Sequence, residues 1–156
     1  MAADALRLAE ETVHLAQKTW GLRDWSIKVR TVPFAQLASE RQNRECLACV
    51  YYDDNPRVAT VSLADNYTRD PGGALYPVQT LAAHEVAHIL LGPLENVFAT
   101  IKGWLSADDR RSYGDAFQEH LETLLDTLAT GLTGMRAVQV WSAMDLPDGW
   151  EEDEED

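Results

Sequence analysis

Residues 80–92 read TLAAHEVAHILLG. The run is apolar apart from Thr80, two histidines and a glutamate, and each of these polar groups is costly to bury without a partner. His84 and His88 stand four residues apart. On a helix that spacing puts both on one face with their Cβ atoms about 5–6 Å apart, so two imidazoles can grip one tetrahedral metal from the same side. Glu85 is turned about 100° from His84. From there its carboxylate reaches a water on the metal rather than the metal itself; the metal lowers the water's pKa and the glutamate takes its proton. The stretch therefore predicts a helix carrying an HExxH site. The competing reading is two core histidines satisfied by hydrogen bonds, which leaves three polar groups to neutralise in one apolar segment.

Pro77 opens this helix where its missing N–H does no harm, and Gly92-Pro93 predicts its end. Upstream, residues 65–76 (DNYTRDPGGALY) read as a loop. Leu47–Tyr52 and Val58–Leu63 are two β-rich runs around the turn formers DDNPR, which predicts a hairpin. Trp25–Val32 alternates as a half-buried strand, and residues 33–45 are mixed and polar and read as a helical turn or a loop. Asp4–Thr19 is an amphipathic helix with Leu6, Ala9, Val13, Ala16 and Trp20 along one face, ended by Gly21. Downstream, residues 94–104 read as partly helical. Ser106 with Asp108 and Asp109 marks a helix start. From Tyr113 to Leu132, Phe117, Leu121, Leu124, Leu125, Leu128 and Leu132 recur on one face. Helix, strands, then helices predicts an α+β fold, organised as one domain over residues 1–140 with an acidic tail over 141–156.

The chain has 156 residues and a net charge of -13. The last twelve residues, DLPDGWEEDEED, hold eight of the 26 acids, which leaves 18 acids against 13 bases elsewhere. That tip reads as a solvated tail, and the overall charge argues against contact with nucleic acid phosphates. The sequence holds no run of about 18 apolar residues, so no membrane span is expected. MAADALRLAEETVHLAQ lacks the basic start and apolar block of a signal peptide, so a cytosolic protein is expected. Cys46 and Cys49 form a lone CLAC pair, where a zinc ribbon needs two such pairs. His14, in the first helix, reads as a surface or packing residue.

A catalytic metal of this kind needs a third protein ligand and an open position. The metzincin continuation is excluded, because Leu91 and Leu94 stand where it requires Gly and His. The C-terminal helix offers Glu119, His120 and Glu122. Glu119 points almost opposite the Leu-rich face, while His120 and Glu122 lie on its two margins. Asp126 follows Glu122 at i+4.

HExxH followed by a helix bearing Glu-x-x-x-Asp resembles the gluzincin metallopeptidases, of which thermolysin is the best-known member. The stretches GLRDWSIKV, ATVSL, HEVAHILLGPLE and EHLETLLDTLATGL are more specifically similar to small phage-encoded metallopeptidases, over roughly residues 22–132. The resemblance implies a zincin-like fold and one zinc ion per chain held by His84, His88 and Glu122. It also implies that Glu85 is the general base and that Asp126 hydrogen-bonds His84. A protein or peptide substrate follows, met in a host cytosol if the chain is phage-encoded. In such folds the outer strand pairs with an extended peptide, and Val58–Leu63 is read either as that strand or simply as a core strand. An oxyanion donor is sought among His120, Tyr67 and Tyr113. The alternative from a different class is a metal-containing binding or assembly protein without turnover; a complete HExxH speaks against it, since a structural site has no use for the glutamate.

Overall fold

The computed structural model describes residues 2–40, 47–65 and 77–134. Tyr67, Cys46 and the acidic tail lie outside these residues. The element order is α1 (Ala2–Thr19), β1 (Ser26–Val32), α2 (Phe34–Glu40), β2 (Ala48–Asp53), β3 (Val58–Ala64), α3 (Val78–Lys102) and α4 (Ala107–Thr133). It is an α+β arrangement with one small mixed sheet.

β2 and β3 form the expected hairpin, pairing antiparallel with Val50 opposite Val61. The turn is closed by the Asp53 carboxylate, which accepts from the Asn55 N–H at 2.9 Å, and by Arg57 in the left-handed region at φ 59°. β1 pairs with β3 in parallel, Val29 opposite Val61. The sheet order is thus β1-β3-β2. Of the two readings of Val58–Leu63 the core strand holds and the outer strand is corrected: β3 is central, with hydrogen-bonded neighbours on both sides, and has no edge to offer a peptide. The outer strands are β1 and β2.

Strand alternation divides the sheet into two faces. Val50, Ala59, Val61 and Leu63 face one way and pack with Ala5, Ala9 and Val13 of α1 and with Ala82, Val86 and Ile89 of α3. On the other face, Leu37 of α2 closes a smaller cluster with Val32, Cys49 and Ala64. Beyond that cluster the second face is polar, and Arg30 Nε donates to Ser62 Oγ at 2.8 Å.

α3 does not stop at Gly92-Pro93. It continues to Lys102, with Pro93 inside it. A proline in a helix interior forfeits one hydrogen bond and crowds the preceding turn, at about 3 kcal/mol. Packing outweighs that cost here. The distal half of α3 lies against the start of α4, where Phe98 and Phe117 stack with ring centroids 3.8 Å apart and planes 3° from parallel. α4 then returns antiparallel along α3, and Leu121 and Leu125 bury against Ala87. Ser106 caps α4 as expected, its side chain accepting from the Asp109 N–H. Gly134 ends the helix in the left-handed region at φ 67°. Leu124, expected on the buried face, is 40% exposed, because it lies at the edge of the contact stripe that Leu121 and Leu125 define.

Candidate metal centre

α3 is buried on two sides, by the sheet and α1 on one and by α4 on the other. His84 and His88 project from it toward α4. Their rings lie 5.2 Å apart, with planes 68° from parallel. α4 crosses at this level, so Glu122 meets them. One ligand atom from each of His84, His88 and Glu122 lies within 4.8 Å of the other two. The distance from His84 Nε2 to Glu122 Oε2 is 3.3 Å, and Gln118 Nε2 steadies the second Glu122 oxygen at 2.5 Å.

The outer hydrogen bonds fix which nitrogens face the cluster. The separation between His84 Nδ1 and Asp126 Oδ1 is 2.8 Å. A carboxylate only accepts, so Nδ1 is the donor and Nε2 is turned to Glu122. His88 has a corresponding contact, Nδ1 to Glu95 Oε1 at 3.1 Å. Asp126 was pointed to by the family resemblance; Glu95 was pointed to by nothing in the sequence reading. Its signal is the i+7 spacing from His88, two helical turns on, and a helix taken to end at Gly92-Pro93 hides it.

Glu85, one residue along α3, is 6% exposed. Two imidazoles are therefore surrounded by the carboxylates of Glu85, Glu95, Glu122 and Asp126. Burial alone would lower the His84 pKa. Hydrogen bonds with Asp126 and Glu122, and the negative charge of Glu85, raise it from 6.5 to about 10. The hydrogen bond from His84 holds Glu122 below the usual carboxylate range despite partial burial. Such a cluster calls for positive charge. Glu122 and Asp126 have side chains 45% and 56% exposed, and ion pairs this open contribute at most about 1 kcal/mol each. Fold stability therefore does not account for gathering so many acids here. Two imidazoles and one carboxylate on a common point suit zinc and leave a fourth position open, so the residues present fit the metal.

The remaining expected residues are not drawn in. His120 is exposed on α4 and does not belong to the group formed by His84, His88 and Glu122. Tyr113 is 58% exposed, Glu119 is exposed, and His14 is a surface residue of α1. Cys49 is buried in β2. Among the described residues no helix is long and apolar enough to cross a membrane. Comparison with known proteins finds no matching family model, no matching curated protein and no matching solved structure.

Proposed function

We propose that this chain is a zinc-dependent metallopeptidase with a zincin-like active-site helix, and that it hydrolyses a peptide bond in a protein or peptide substrate. The observation that carries this reading is the meeting of His84, His88 and Glu122 from two helices at one point, with the glutamate of the HExxH buried beside them. His84, His88 and Glu122 would hold one zinc ion. When bound, zinc supplies a Lewis acid that polarises a carbonyl and makes water nucleophilic near neutral pH.

The protein's own residues do the rest. Glu85 is the general base: its carboxylate takes a proton from the attacking water and delivers it to the leaving amine. Asp126 accepts from His84 Nδ1, which keeps Nε2 as the free donor atom and makes it more basic. The resemblance to gluzincins and the complete HExxH both support catalysis over a structural metal.

The test is zinc content by elemental analysis together with cleavage of a peptide library. Wild type should hold one zinc per chain, and His84→Ala and Glu122→Ala should lose it. Glu85→Gln should keep the zinc and the fold and lose cleavage by at least about a hundredfold. Zinc retention with cleavage undiminished in Glu85→Gln would sink the mechanism. A wild type that binds zinc and cleaves nothing would favour the binding-protein alternative.

A further inference from the structure

The Glu95 contact to His88 is not explained by helix geometry alone. Seven residues of helix span about 10.5 Å, so only a long side chain leaning back toward the N-terminus of α3 can reach. Glu95 does reach, with its side chain 31% exposed and that of His88 17% exposed. Among the described residues its ion-pair partner is His88. The carboxylate also lies near β2, since its charge adds to burial in raising the Tyr52 pKa. The reach depends on α3 running unbroken through Pro93, a helix continuation that otherwise looks costly.

We propose that Glu95 is a positioning residue for His88, matching from α3 what Asp126 does for His84 from α4; this rests on the metal-centre reading above. A histidine without a partner at Nδ1 can present either nitrogen and turn about its Cβ–Cγ bond. Glu95 Oε1 fixes the donor at Nδ1 and leaves Nε2 for the metal. Both histidines then enter the site in one tautomer and one orientation. Each is held by a carboxylate that does not ligate, while Glu122 is the carboxylate that does.

The experiment measures zinc affinity of the full chain by competition with a chromophoric chelator for wild type and for Glu95→Gln, Glu95→Asp and Glu95→Ala. Long-range 1H–15N spectra of the histidine rings in the zinc-loaded proteins accompany it. Glu95→Ala should weaken zinc binding by about 10–100-fold, the usual loss on removing such a partner. Glu95→Gln keeps an acceptor at the same reach and should recover most of the affinity. Glu95→Asp keeps the charge but is too short, and should resemble Glu95→Ala. The His88 Nδ1–H signal should be present in wild type and Glu95→Gln and lost in Glu95→Ala. Zinc affinity of Glu95→Ala within about twofold of wild type would overturn the inference while leaving the metal centre standing. Full recovery by Glu95→Asp but not Glu95→Gln would also overturn it, since charge rather than reach would then be the cause. A wild-type chain that binds no zinc would overturn the metal-centre reading and this inference together.

Discussion

Gly92 lies one turn beyond His88, buried against β2. A Cβ built there would sit 2.6 Å from Tyr52 Oη and 3.1 Å from Tyr52 Cζ. The glycine therefore serves a close approach and not a helix end; among the described glycines only Gly21 and Gly134 have positive φ. This is why the local reading failed. Gly followed by Pro is a strong stop signal, and nothing in the sequence says that a tyrosine some forty residues earlier needs the space. Gly92→Ala should destabilise the protein by about 1–2 kcal/mol. Overpacking costs about 1–3 kcal/mol, offset in part by alanine's better helix propensity of up to about 1 kcal/mol. Tyr52→Phe in the Gly92→Ala background should recover part of the loss, because it removes the nearest atom and leaves the ring. Urea unfolding of the four proteins of this cycle checks it. A Gly92→Ala chain as stable as wild type would mean that Tyr52 moves aside freely.

At the scale of elements, α1 and α4 were the readable helices, whereas α2 and the far half of α3 were not. α1 shows its buried face in Ala9, Val13 and Ala16, and α4 shows its cap at Ser106 and its stripe through Leu121 and Leu125. The hairpin was readable because its turn is local: Asp53, Asn55 and Arg57 close it within five residues. The parallel pairing of β1 with β3 was not, since it joins Ser26 to Val58 across a helix and a strand, and no local pattern encodes that register. The site follows the same rule. His84, Glu85 and His88 are fixed by spacing on one helix. Glu122 and Asp126 needed a family resemblance to be chosen over Glu119 and His120. Glu95 needed the true length of α3. That length carries a prediction of its own. Pro93 is exposed inside a continuous helix, so Pro93→Ala should restore a backbone donor and stabilise the protein. The expected gain is about 2 kcal/mol, the helix penalty of about 3 kcal/mol less up to about 1 kcal/mol for the freer unfolded chain. Zinc affinity should be unchanged, because Glu95 and His88 keep their register. Thermal melts with and without zinc test both halves; a loss of stability would mean that Pro93 sits at a bend the packing requires.

At the scale of the whole molecule, the candidate metal site joins the two longest of the described helices, α3 and α4, and without a metal it does so with opposite charges. The raised pKa of His84, about 10 against 6.5, means that the folded metal-free protein holds a proton that the unfolded chain releases near neutrality. Its stabilising contribution is complete below about pH 6.5 and is lost as the pH rises through about 10. Glu122 has the opposite sense: its pKa is lowered by His84 from 4.5, so its contribution is present above about pH 4.5 and lost in acid. The metal-free fold should therefore be best supported by this cluster between roughly pH 4.5 and 6.5, and weaken on the alkaline side. On the proposed reading zinc would reverse the trend, because binding at His84 Nε2 requires the proton to leave. The gap in melting temperature between zinc-loaded and chelator-treated protein should then widen steadily from about pH 6 to about pH 9, where His84 gives up its proton more readily. At a free zinc level about a thousandfold above its dissociation constant, the loaded form gains about 4 kcal/mol, enough to be read directly in a melt. Paired melts across that range decide the matter: a gap that stays constant would mean that no protein proton is displaced and that His84 does not ligate, whereas a widening gap abolished by His84→Ala ties the coupling of α3 to α4 to that one imidazole.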